Sequence, residues 1–270
     1  MQLGLWLELR PSDDLARLTD QVAELGFGTL QAHFPAGCDA TFARRVHRAC
    51  AGSGLELVAV SGYANPLRPD DAPKGYTQAG IARLIELLPL LDARRVVTWS
   101  GTYAAGLREP HPENHSAAAW QTLQRAVDDL LPLLDAQDAI LVLEPFFTHV
   151  LDGPERIVRF CQEVGSPYVR VVLDPPGLLP PATWEQQADL LPASIAMLAP
   201  YVGLVHLKDM RLRDGVLELP GPGEGVLDYT VFLNAVARAG IDAPLVIEHV
   251  SLAQAPAARR YVLAHGRALW

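Results

Sequence analysis

The chain has 270 residues, of which 50% are hydrophobic and 20% charged, and carries a formal net charge of −9. A chain of this size buries a full core without staples, while its acidity and lack of a long basic run exclude a general duplex-binding surface, which needs a basic footprint on the phosphates. The cysteines Cys38, Cys50 and Cys161 have no metal-type spacing and suit buried apolar positions in a reducing compartment. The N-terminus lacks the pattern of a signal peptide, and no apolar run reaches the roughly 20 residues of a membrane span, so a cytoplasmic protein without membrane contact is expected.

In chain order, short β-type runs alternate with longer amphipathic ones. LGLWLEL (3–9) precedes a helix over 12–26, which Ser12 can cap and Gly26 can stop. GTLQAHF (28–34) leads to a helix near 39–51, LELVAVSG (55–62) to one over 75–91, and ARRVVTWSG (93–101) to a polar loop and a helix near 114–136. The remaining strands are AILVLEP (139–145), YVRVVLDPP (168–176), YVGLVHLKD (201–209) and APLVIEH (243–249), with helices near 153–164, 184–199, 228–239 and 255–267. Eight such β/α pairs predict an α/β fold, a single-domain (β/α)8 TIM barrel over residues 1–270. An open doubly wound sheet is disfavoured because the first turn has no Gly-rich phosphate fingerprint.

Barrel chemistry is built at the C-terminal strand ends. There, four apolar runs close on an inward polar residue: ILVLE on Glu144, RVVLD on Asp174, GLVH on His206 and LVIE on Glu248. Neighbouring strands lie about 4.8 Å apart, so the four converge. Three carboxylates at an apolar mouth repel one another, and a divalent cation with the imidazole as neutral fourth ligand resolves the conflict. This mixed O/N set suits one Mn2+, Mg2+, Co2+ or Zn2+ ion.

The series on strands five to eight, together with VHLKDM (205–210) and PGPGEGVLDY (220–229), resembles the xylose isomerase-like barrel superfamily in its sugar phosphate isomerase/epimerase branch, across essentially the whole chain. The resemblance implies that Glu144, Asp174, His206 and Glu248 hold one metal and that Glu144 and Glu248 are the acid/base pair on opposite faces of the substrate. It also implies a divalent-metal-dependent isomerase or epimerase of a small sugar, keto-sugar or polyol, working by proton abstraction next to a carbonyl through a metal-stabilised enediolate. The alternative is a metal-dependent dehydratase of a keto-inositol or dehydroshikimate-like substrate. Many relatives carry His or Asn three positions after the strand-six Asp, where this chain has Gly177 in DPPG. The related DNA-repair endonucleases hold three zinc ions with extra histidines that VSGYAN and TWSGTY lack, so one ion is expected. A phosphodiesterase-like hydrolase and an inactive sugar-binding barrel are the remaining rivals.

Other polar residues have two readings each. Lys208, on the His206 face, either holds a substrate oxygen or pairs with Glu248 or Asp209. Glu8 and His33 read sugar hydroxyls or pair with each other or with loops, as Thr29 and Gln31 share the inward face of the second strand. Trp99 and Tyr63 wall a sugar ring or fill the core. His111 and His115 are candidate substrate contacts, with His111 preferred, and Asn114 is a candidate helix cap. Arg211 and Arg213 clamp a substrate anion or belong to a solvated turn, RLRDG, and Glu224 touches substrate or fixes its loop. His149, His249 and His265 receive no role, and His249 is expected to point away from the Glu248 face. The expected partner is a small carbohydrate, with no nucleic acid; a homo-oligomer is compatible with the chain.

Overall fold

The computed structural model describes residues 2–69 and 75–270. In chain order the elements are β1 (Leu3–Glu8), α1 (Leu15–Glu24), β2 (Thr29–His33), α2 (Ala40–Gly52), β3 (Glu56–Ser61), α3 (Gln78–Leu91), β4 (Arg95–Trp99), α4 (Ala117–Asp128), α5 (Leu131–Ala136) and β5 (Ile140–Glu144). They continue with α6 (Pro154–Val164), β6 (Val169–Leu173), α7 (Pro175–Leu178), α8 (Gln187–Leu198), β7 (Val202–Leu207), β8 (Arg211–Arg213), β9 (Val216–Glu218), α9 (Tyr229–Arg238), β10 (Leu245–Ile247) and α10 (Ala255–His265). The parallel strands close in the order β1-β10-β7-β6-β5-β4-β3-β2, which makes the expected α/β TIM barrel. No helix among the described residues is long and apolar enough to cross a membrane.

The sequence places helix starts with side-chain acceptors. Asp14, Asp39, Thr77 and Asp228 each accept from the backbone N–H three residues on, which satisfies donors that have no partner inside the helix. Apolar residues on the outer strand face and the inner helix stripes form the main core. A second, smaller cluster fills the barrel lumen: Val58, Ala59, Tyr63, Val97, Val142, Val172, Leu204 and Val246. Val142, Val172, Leu204 and Val246 lie two residues before Glu144, Asp174, His206 and Glu248. The period of two along a strand therefore carries those polar groups to the lumen's mouth above an apolar floor.

Three expectations change. The first helix is capped by Asp14 rather than Ser12. The helix near 114–136 is three pieces: a 3-10 turn at Pro112–His115, then α4 and α5. Ser116 caps α4 by accepting from Ala119 N at 3.1 Å. Asn114 is buried instead, donating to Thr102 Oγ1 at 2.8 Å and accepting from Tyr103 N at 2.8 Å. Pro132, with no N–H to give, sits in the first turn of α5, where that donor is not needed. The RLRDG stretch is also more than a turn. β8 and β9 form an antiparallel hairpin around Asp214 (φ +51°) and Gly215 (φ +78°), two left-handed residues of the kind a two-residue hairpin turn requires.

Candidate active site

Glu144 ends β5, Asp174 follows β6, His206 lies within β7 and Glu248 follows β10. Trp99 pairs in register with Glu144, and Val246 with His206, so Glu248 stands two residues beyond the His206 level at the mouth. His206 and Asp174 are fully buried and Glu248 nearly so. Side-chain ligand atoms of Glu144, His206 and Glu248 all lie within 4.8 Å of one another, a grouping that can hold a metal ion. Asp174 stands outside this triplet and is joined to it through Lys208.

The Lys208 ammonium is the hub. Its Nζ lies 3.0 Å from Glu144 Oε1, 3.0 Å from Glu248 Oε2 and 3.1 Å from Asp174 Oδ2, with the residue only 4% exposed. The contact to Asp174 is ionic without hydrogen-bond geometry. Among the described residues, both Asp174 oxygens, Glu144 Oε2 and His206 Nδ1 have no hydrogen-bond partner. Of the two readings of Lys208, the ion pair with Glu248 is present, and two further carboxylates share it. Asp209 is not its partner. It is fully buried and accepts from Met210 N, Gly223 N and Leu227 N at 2.8, 3.0 and 2.9 Å, which organises the PGPGEG loop.

His206 has a defined orientation. Its Nε2 is 3.0 Å from Gln31 Oε1, an acceptor only, so Nε2 carries the proton and Nδ1 turns toward Glu248 Oε2 at 3.2 Å and Glu144 Oε1 at 3.7 Å. Gln31 is fully buried and acts on the imidazole rather than on sugar hydroxyls. This is the arrangement in which an outer partner fixes a ligating histidine.

The electrostatics agree with a cation-hungry site. Burial raises the pKa of Glu144, but the Lys208 ammonium and His206 more than reverse this and hold the carboxyl below its ordinary value. Burial pushes Asp174 up to about 6; Lys208 offsets this in part, and Glu144 adds to it. Burial alone would lower His206 and Lys208, yet the surrounding carboxylates raise both, Lys208 well above its usual value. The carboxylate field that favours a proton on Nδ1 also favours a cation there. Unpartnered carboxylate oxygens together with an oriented imidazole nitrogen therefore fit a divalent ion.

Above the carboxylates lies a cavity of about 280 Å³, at the small end for ligand sites. Trp6, Tyr63 and Trp99 line it with Phe146, Arg108, His149 and His249 among others. Tyr63 stacks on Trp99 with centroids 4.8 Å apart and on His33 at 5.5 Å. His33 is thus buried behind the aromatic wall and is absent from the cavity lining. Glu8 is exposed, pairs with Arg10 at 3.2 Å and is absent from the cavity lining. His111 accepts from Glu113 N at 3.3 Å as the cap of the 3-10 turn, outside the cavity. His115 pairs with Asp152 at 3.1 Å. Arg211 is engaged by Glu218 Oε2 at 2.6 Å and Glu224 O at 3.0 Å, and Arg213 by Glu218 at 3.6 Å, so the hairpin uses both arginines itself. Glu224 accepts from Gln254 Nε2 at 3.2 Å, which fixes its loop.

Two histidines to which the sequence assigns no role reach the cavity. His249 follows Glu248 in the left-handed region (φ +58°), which breaks strand alternation and brings the ring over the mouth, its Nδ1 2.5 Å from Leu219 O. His149, 3% exposed, donates through Nε2 to Leu107 O at 2.8 Å, and burial lowers its pKa to about 4. Arg108 Nη1 donates to Leu217 O at 3.1 Å and links the β4 loop to the hairpin. A positive φ and contacts between distant loops leave no local mark in the sequence.

Gly177 has a structural reason. A Cβ there would meet Pro145 O at 2.7 Å and Asp174 Oδ2 at 3.1 Å, so the α7 turn has no room for a side chain at this point.

A parallel barrel with carboxylates and an imidazole gathered at its C-terminal mouth defines the class. The model of the xylose isomerase-like TIM barrel family matches residues 19–267, and the chain belongs to that family. Solved structures similar to it include D-psicose 3-epimerase in the presence of D-fructose, at 16% identity and TM-score 0.72 over 99% of this chain and 98% of that one. L-ribulose 3-epimerase is similar at 17% identity and TM-score 0.73, covering 98% and 94%. A xylose isomerase-like TIM barrel protein from Mycobacterium smegmatis in complex with magnesium is 20% identical with TM-score 0.66, covering 94% and 89%. At these identities the likeness is one of fold. No curated protein sequence matches the chain.

Proposed function

We propose that the protein is a divalent-metal-dependent isomerase or epimerase of a small sugar, keto-sugar or polyol derivative. The observation that carries this reading is the pair Glu144 and Glu248, both lining one small cavity and both 3.0 Å from the same ammonium. They come from β5 and β10, with β6 and β7 between them in the barrel. Two carboxylates on separate strands at one cavity supply the acid/base pair that this reading needs.

Glu144, held in its ionised form by Lys208 and His206, is suited to take a proton from a carbon next to a carbonyl. Glu248 would return one on the other side, which inverts the centre. Lys208 can meet the oxygen on which negative charge develops. Trp99 and Tyr63 offer a flat wall to a sugar ring, and the cavity volume matches a compact ligand. Glu144, His206 and Glu248, with Asp174 beside them, would hold the ion. Bound there, it would polarise the carbonyl and stabilise charge on the adjacent oxygen. Four of the similar solved structures are sugar epimerases by name, which supports the same reading.

The test is incubation with a panel of ketoses and keto-inositols in D2O, with and without Mn2+. Metal-dependent solvent deuterium in an intact, epimerised or isomerised sugar is expected. An enone ultraviolet absorbance with loss of water would instead establish a dehydratase, and no exchange with any carbonyl sugar would remove the proton-transfer mechanism.

A further inference from the structure

Lys208 does something that a substrate-binding lysine need not do: it fills the space between three carboxylates. Its Nζ reaches Glu144 Oε1, Glu248 Oε2 and Asp174 Oδ2 within 3.0 to 3.1 Å. Two of those oxygens, Glu144 Oε1 and Glu248 Oε2, are also the ones nearest His206 Nδ1. Of the oxygens around His206 Nδ1 that an ion would share, the nearest two therefore already grip the ammonium. Three carboxylates buried with nothing positive between them would repel strongly, and one tethered cation removes most of that repulsion. A divalent ion brought to the same oxygens meets an ammonium already there, a like-charge contact inside a poorly solvated site.

We infer that Lys208 is a tethered competitor for the metal: it keeps the carboxylate ring assembled without an ion and weakens divalent binding by opposing it. When an ion enters, the ammonium yields the shared oxygens and its side chain, which already lines the cavity, turns toward the ligand space. Lys208 is then a positioning residue for the ring and a limit on metal affinity. This inference rests on the divalent-ion reading of the site and on nothing about the sugar.

The experiment compares wild type with Lys208→Met and Lys208→Arg. Mn2+ affinity is measured by titration calorimetry, and melting temperature with and without Mn2+. Lys208→Met is expected to bind Mn2+ about tenfold tighter or more. It should also melt lower when metal-free and gain more from added Mn2+ than wild type does. Lys208→Arg, which keeps the charge, should bind as weakly as wild type. Equal or weaker Mn2+ binding by Lys208→Met, with an unchanged metal-free melting temperature, overturns the inference alone. Absence of Mn2+ binding to all three proteins overturns the metal reading and this inference with it. If Lys208→Met folds neither with nor without Mn2+, Lys208→Gln, which keeps two donors without the charge, is read in the same way.

Discussion

Lowering the pH from neutral makes His149 costly to the folded protein. The ring is 3% exposed, donates to Leu107 O at 2.8 Å and lies 3.5 Å from the Ser100 hydroxyl through Nδ1. Burial lowers its pKa from 6.5 to about 4, against a smaller opposing effect of the Leu107 carbonyl. Because the folded value is depressed, the unfolded chain binds the proton first. The stabilisation is complete above 6.5 and is lost as the pH falls toward 4. At 1.36 kcal/mol per pH unit that gap is worth about 3 kcal/mol. Asp174 works in the opposite sense: its folded pKa is raised from 3.8 to about 6, so its contribution is present at low pH and lost as the pH rises. A variant is therefore needed to isolate the histidine. Urea denaturation of wild type and His149→Gln across this window should show the wild-type advantage shrinking by about 3 kcal/mol between neutral pH and pH 4. A wild-type advantage that stays constant across the window would refute the claim that the buried neutral ring is responsible.

Four further outcomes follow from the placements described. Glu144→Gln and Glu248→Gln should each fold normally and lose roughly 10²-fold or more in turnover of any active sugar, measured by steady-state kinetics; unchanged turnover removes that carboxylate from the chemistry. Gln31→Leu should weaken Mn2+ binding by about 10- to 100-fold in calorimetry, since His206 loses the acceptor that fixes its orientation. Asp209→Ala strands the three backbone donors of its loop and should cost about 3 kcal/mol or more in urea denaturation. Glu8→Gln removes only an exposed pair with Arg10; stability should change by about 0.5 kcal/mol or less, with turnover unaffected, and a large loss of activity would return Glu8 to the site.

The barrel and its ring of polar residues were legible in the chain because both are local patterns. Alternation of short apolar runs with amphipathic helices sets the fold class, and the period of two along each strand aims Glu144, Asp174, His206 and Glu248 inward without reference to any distant contact. The tertiary structure decided what acts on that ring. Gln31 meets His206 across 175 residues, and Lys208 meets two further carboxylates besides the expected Glu248. Arg108 reaches the hairpin across 109 residues, and a left-handed His249 escapes the alternation that governs strands. Glu8, His33, His111 and Arg211 share the residue types of a sugar site, yet each is drawn to a nearer partner or behind the aromatic wall. Strand periodicity tells a side chain which way to face; only the closed barrel and the loops over its mouth determine what it meets there.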